Sequence, residues 1–538
     1  MKLSLAALNN EEFRSRAGIS LPSYDVNEVY RRTKENPVWV HFGIGNIFRS
    51  FLGRIADRLL AEGASDRGLT CVETYDFEVV DRIYDPYDNL GISVILNPDG
   101  TKDVQVLGCF AEAVRADAER PAEWGRLKEI FRSGSLQMVS LTITEKGYAL
   151  QDSEGRYFPS VQKDLVSEPD RAGHAMTILT AMLLERFENG NAAPLSVVSM
   201  DNCSQNGKRL RDAVLTVTRE WCERGIVSTD FADWVSDEEQ VAFPWTMIDK
   251  ITPRPSEAVA KELEEAGIED MQPLITQKKT FIAPFVNAER PQYLVIEDHF
   301  PNGRPRLEAG GVYLTDRETV NKAERMKVTA CLNPIHTALC TYDCMLGYEL
   351  FADGMRDPEL AKLAHLIGYD EGLPVVPDPG ILSPRAFLDE VIEERFPNPY
   401  LGDTSQRIAT DISQMVGIRF GETIKAYVRR DGRAAALTGI PLAIAGWLRY
   451  LLALDDQGQA MELAPDPMIP QLQEMMRSIC FGNPEDAVNA GALSEILSND
   501  RIFGINLYEA GIGSLIETMF CEEAAGPGAV RKTLKHYL

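Results

Sequence analysis

Short apolar runs recur through the first three hundred positions, each followed by a longer stretch whose apolar residues repeat at helical spacing. The runs at 38–42, 69–74, 138–143 and 195–200 predict strands, and 49–60 predicts an amphipathic helix directly after the first. Strands that read as almost unbroken apolar segments, alternating with helices, imply a parallel sheet covered on both faces. From about residue 318 the pattern turns mostly helical, as at 358–367, 384–395 and 471–480. The segment 289–311, rich in proline, glycine and charge, reads as the seam between the two halves. The fold class expected is therefore an α/β amino-terminal domain followed by a mostly α-helical carboxy-terminal domain.

Composition narrows the functions open to such a chain. Its 538 residues carry a net charge of −26, with the acids spread along the sequence. No nucleic acid and no anionic membrane is expected as a partner, since both demand basic patches. The apolar run 434–454 contains Pro441 and Arg449 and falls short of the ~20 apolar residues of a membrane span; it reads as a buried helix. The first residues, Met-Lys-Leu-Ser-Leu-Ala-Ala-Leu, form too short an apolar run for a signal peptide. Nine cysteines with no Cys-x-x-Cys pair suggest reduced thiols and a cytoplasmic location. Cys331, His336, Cys340 and Cys344 lie close together but match no common zinc spacing, so no metal is expected.

Two stretches carry candidate chemistry. The first strand runs into Gly43 and Gly45, followed by Asn46, Ile47, Phe48 and Arg49. Glycines directly after a strand let a dinucleotide pyrophosphate approach the backbone, and the next helix offers it unpaired N–H groups. The third glycine of such turns is missing, and Phe48 stands in its place. Glu73 ends the following strand, where a carboxylate can accept from an adenosine ribose and repel a 2′-phosphate, with Asp76 as the alternative. NAD is thus expected ahead of NADP. The second stretch, Lys327-Val-Thr-Ala-Cys-Leu-Asn333-Pro-Ile-His336, holds a base, an amide donor and an imidazole, the set that oxidation of a secondary alcohol requires. At roughly 100° per residue, nine residues turn a helix by about 900° and put Lys327 and His336 on opposite faces. An irregularity is therefore predicted between Lys327 and Pro334: either a new helix capped by Asn333 or a bulge.

Several separated blocks stand out: residues 42–51; Thr-Ile-Thr-Glu-Lys-Gly-Tyr at 142–148; Ser-Met-Asp-Asn-Cys-Ser-Gln-Asn-Gly at 199–207; 243–253, ending Asp-Lys-Ile-Thr-Pro; and 295–305. In this order they resemble the mannitol dehydrogenase family of polyol-specific dehydrogenases. The resemblance implies a Rossmann-type domain over 1–305, a mostly helical domain over 306–538, and a substrate cleft between them. It also implies metal-independent NAD(P) chemistry in a monomer or weak homo-oligomer. By the same resemblance Lys327 is the general base, Asn202 and Asn333 form the oxyanion site, His336 orients substrate and Asp249 tunes the lysine. Lys146 joins the cofactor site. The family reads Lys-x-x-x-x-Asn-x-x-His, whereas this chain has one more residue between Lys327 and Asn333. Arg407 resembles a family arginine that faces substrate, and Arg254 and Arg419 are further candidates for gripping a carboxylate. The substrate expected is a sugar acid or polyol. The reaction expected is fructuronate to mannonate, with mannitol or arabinitol 2-dehydrogenation or tagaturonate reduction as alternatives. The extra residue beside Lys327 motivates another class, a catalytically inactive NAD-binding sensor.

Overall fold

The computed structural model describes residues 1–15 and 18–538. The chain divides into two compact units, Met1–Asn321 and Lys322–Leu538.

The first unit is built on six parallel strands: β1 (Trp39–Phe42), β2 (Leu69–Glu73), β3 (Phe110–Arg115), β4 (Met138–Leu141), β5 (Leu195–Ser199) and β6 (Val241–Ala242). Their spatial order is 3-2-1-4-5-6, the doubly wound order of dinucleotide-binding sheets. Each predicted strand is present; the first ends as expected at Phe42, and the other three end one or two residues early at the carboxyl edge. Side-chain alternation decides which face each residue serves. Val40 and Phe42 enter the core shared with α2 (Pro121–Arg132), α3 (Ala175–Asn189) and α4 (Asn206–Glu223). Trp39 enters the opposite core, with Phe48, Phe51 and Ile55 of the segment leading into α1 (Gly53–Ala61). Every residue of β1 is buried, which is why the strand reads as apolar apart from His41. Smaller antiparallel and mixed sheets flank this core. In one of them Thr246–Asp249 pairs with Tyr293–Glu297, so the stretch read as a seam contributes a strand to the first unit.

The second unit is helical. Its centre is α5 (Asn333–Leu346), which packs on α6 (Gly439–Tyr450), itself packed on α7 (Gly513–Glu523). Gly446 lets the Tyr342 ring lie against α6, because a Cβ there would meet that ring at 2.4 Å. The amino end of α6 is closed by Glu371, whose carboxylate accepts from the N–H groups of Thr438, Gly439 and Ile440 at 2.6, 2.6 and 2.8 Å. Predicted helices at 358–367 and 384–395 begin where expected, then widen into π-type turns at Leu366–Gly372 and Val391–Arg395. The 471–480 helix is shorter, Ile469–Met475. Among the described residues no helix is long and apolar enough to cross a membrane.

Candidate active site

In the first unit, parallel strands put Gly43, Glu73, Thr142–Lys146 and Asn202 at one edge, the carboxyl ends of β1, β2, β4 and β5. Gly43 has φ +86°, and a Cβ on it would lie 2.2 Å from the Thr142 carbonyl oxygen. A side chain is excluded there twice, by conformation and by contact. Gly45 differs: nothing lies within 4 Å of its notional Cβ. That open backbone leaves room for a pyrophosphate, so these residues fit a bound dinucleotide. Phe48 stacks on His41 with ring centroids 4.1 Å apart and an interplanar angle of 10°, filling the gap that a third glycine would close by direct helix–strand contact. His41 sits between Ser140 and Thr142 at 2.6 and 2.8 Å, and burial pushes its pKa down to about 3.

The remaining residues expected at the cofactor site divide into those that line this edge and those that hold it. Arg49 is 2% exposed; it donates to Ala283 O at 2.8 Å and to Asn46 Oδ1 at 3.1 Å. It fixes Asn46 from behind, and Ile47 packs partly into the α1-side core. Glu73 is also buried. Its Oε1 accepts from the N–H groups of Thr74, Tyr75 and Asp76 at 3.1, 2.9 and 3.1 Å, and its Oε2 lies 3.5 Å from Ile44 N in the glycine turn. Asp76 Oδ2 accepts from Thr276 and Thr280, each at 2.6 Å. Lys146 is exposed on a turn that starts at Thr144, a β-branched residue held at φ +63°.

Asp201 holds that strained turn. It accepts from Ile143 N at 2.8 Å, Thr144 N at 3.0 Å and the Tyr148 hydroxyl at 2.6 Å. The adjacent Asn202 is exposed. Asn206 joins this edge to the strand bearing Asp249, donating to Thr246 Oγ1 at 2.7 Å and accepting from Thr246 N at 3.0 Å. Asp249 ends that strand and is buried. Sequence reasoning assigned no role to Asp201 or Asn206, although both lie in the 199–207 block.

In the second unit the predicted irregularity is present. Lys327–Cys331 is a π-type turn in which Leu332 N donates to Lys327 O at 3.1 Å. Leu332, at φ −129° and ψ −67°, breaks the helix, and α5 restarts with Pro334 in its first turn. The cap is Leu332 rather than Asn333, which is the first helical residue. Lys327 is buried, 2% exposed, unlike an ordinary solvated lysine. His336 stacks on Phe396 (5.1 Å, 24°) and meets Phe351 edge-on at 4.6 Å. Its pKa is pushed down to about 3, first by burial and then by the charges of Arg419, Arg407 and Arg395. Arg407 is paired with Asp403 on the short helix Ser405–Ile408, which Ser405 ties to Asp343 of α5 at 2.8 Å. Arg419 donates to Thr337. Arg395, which sequence reasoning missed because it reads as an ordinary helix end, closes the π-type turn Val391–Arg395. Arg254, in the first unit, lies over the Phe281 ring at 4.3 Å. Among the described residues no three His, Cys, Asp or Glu side chains gather as metal ligands would.

Comparison with known proteins settles the lineage. The mannitol dehydrogenase Rossmann domain matches residues 38–309 and the mannitol dehydrogenase C-terminal domain matches residues 319–510. The chain belongs to the mannitol dehydrogenase family. A D-mannonate oxidoreductase from Thermotoga maritima is 51% identical over 536 residues, 98% of each chain. A mannitol 2-dehydrogenase from Cereibacter sphaeroides is 30% identical, covering 85% of this chain and 88% of its own. Among solved structures, the Pseudomonas fluorescens mannitol 2-dehydrogenase, a ternary complex with NAD and D-mannitol, matches with a TM-score of 0.70 at 25% identity. That match covers 100% of this chain and 99% of the other. This family member is an oxidoreductase acting on polyol or sugar-acid hydroxyls, with a nicotinamide dinucleotide as hydride carrier.

Proposed function

We propose that the enzyme interconverts D-fructuronate and D-mannonate and uses NAD. The observation that carries the substrate is the arginine trio, Arg395, Arg407 and Arg419, whose charges converge on His336. Guanidinium groups can donate to polyol hydroxyls as well, but a hexonate keeps its carboxylate in both oxidation states, and arginine binds carboxylate through paired charge-assisted hydrogen bonds. The Thermotoga relative named a D-mannonate oxidoreductase supports the same choice. The carboxylates of Glu73, the last residue of β2, and of Asp76 beyond it support NAD over NADP, because both would repel a 2′-phosphate.

The dinucleotide, when bound, supplies the hydride acceptor or donor. The chain's own residues handle the oxygen and its proton. Lys327 is assigned as the base that removes the hydroxyl proton in oxidation and returns it in reduction. Asn202 and Asn333 are assigned as amide donors to the developing oxyanion, and Asp249 as the group that tunes the lysine. His336, as a neutral imidazole, holds a substrate hydroxyl and fixes orientation.

The test is steady-state reduction of fructuronate, tagaturonate and fructose with NADH and with NADPH. Fructuronate should exceed fructose in kcat/KM, NADH should be preferred, and Arg407→Met should erode the acid preference about tenfold or more. Lys327→Ala should lower turnover by ~10²- to 10⁴-fold. Fructose reduced as well as fructuronate would point to a mannitol-type enzyme, and near-normal turnover in Lys327→Ala would remove the lysine. NADH binding without turnover on any of these would leave the sensor.

A further inference from the structure

Tyr75 is exposed without being loose. The residue is 63% exposed, yet its backbone N–H is fixed on Glu73 at 2.9 Å. The ammonium of Lys278 sits 4.2 Å from the ring centroid and also donates to the Tyr75 carbonyl. Lys278 belongs to the turn joining strands Leu274–Ile275 and Phe281–Ile282. That turn is bolted to the segment after β2 through Thr276 and Thr280 on Asp76 and through Gln277 N on Glu78 at 2.9 Å. Folding gains little from such an arrangement, since an exposed aromatic ring contributes no core burial. A flat apolar face held rigidly in solvent is suited to stacking a planar ligand.

Its place says which one. Tyr75 lies two residues beyond the carboxyl end of β2, the strand beside the one that carries the glycine turn. In a 3-2-1-4-5-6 sheet the adenosine half of a dinucleotide crosses that end. We infer that Tyr75 is the platform on which the adenine ring stacks, with Lys278 bracing it; the inference rests on the dinucleotide reading above. The cation–π contact orients the ring before the cofactor arrives, so less side-chain freedom is lost on binding.

The experiment is calorimetric titration of the full-length protein with NADH and with ADP-ribose, which keeps the adenosine and pyrophosphate but lacks nicotinamide. Tyr75→Ala should weaken both by about tenfold, within the range of base–aromatic stacking, while Tyr75→Phe stays within about twofold of the parent. Lys278→Ala should fall between them. Tyr75→Ala binding both ligands as the parent does would overturn the platform, as would a loss for NADH that ADP-ribose does not share. A parent protein that binds neither would overturn the dinucleotide reading itself, and the platform with it.

Discussion

A half-buried imidazole that feels the charges of Arg419, Arg407 and Arg395 makes a poor acid near neutrality. The His336 pKa falls from 6.5 to about 3, roughly 3.5 pH units or ~5 kcal/mol against protonation in the folded chain. At pH 7 only ~1 molecule in 10⁴ carries the proton. A general acid with that occupancy would forfeit most of its value, which favours the orienting, neutral role proposed for His336. The assay is an NMR titration of the imidazoles between pH 4.5 and 9, with the His336 signal assigned by its loss in His336→Gln. The chain has only six histidines, so the spectrum resolves. His336 and His41 should stay still across that range. In kinetics, His336→Gln should lower kcat/KM by ~10²-fold and keep the shape of the parent pH profile. A His336 resonance titrating near 6.5, or a limb of the rate profile that vanishes with the histidine, would refute the reasoning. Stability follows with a definite sign. A histidine whose folded pKa is depressed costs nothing above pH 6.5 and destabilises the fold as pH falls from there towards 3. By pH 5 the cost is ~2 kcal/mol per histidine relative to its Gln variant.

Two further outcomes test other parts of the structure. The Tyr342 hydroxyl lies 2.7 Å from Leu442 O and 2.6 Å from Glu523 Oε1; one hydroxyl proton cannot serve both, so Glu523 carries its own. Burial pushes that carboxyl from 4.5 up to about 8, so stability is fullest below pH 4.5 and declines as pH rises towards 8. Denaturant unfolding at pH 7 should find Glu523→Gln more stable by roughly 3 kcal/mol, with the advantage gone below pH 4.5; parallel profiles for the two proteins would sink the assignment. At the glycine turn, Gly43→Ala should lower both the melting temperature and NADH affinity, because its Cβ strikes Thr142. Gly45→Val should lose NADH binding with an unchanged melting temperature; equal thermal damage in the two variants would contradict the open space described at Gly45.

Much of the fold was legible along the chain, because its signals are local. Four short apolar runs alternating with helices specify a parallel sheet, and a glycine after the first specifies a turn whose φ no other residue holds easily. The spacing of Lys327 and His336 even demanded a break in the helix, a matter of rotation per residue. What sequence did not reach is whatever depends on which distant groups share a volume. A π-type turn and a fresh helix start answer the same demand with similar hydrogen bonds, and packing selected both. Glu73 stands where a ribose acceptor should, but three backbone N–H groups of its own turn take Oε1, a competition visible only in three dimensions. Arg395, Arg407 and Arg419 lie on separate elements, and nothing in their spacing shows that their charges meet at one imidazole. Charge acts through space over several ångströms, so its consequences belong to tertiary structure, while strands, turns and helix phase belong to the chain itself.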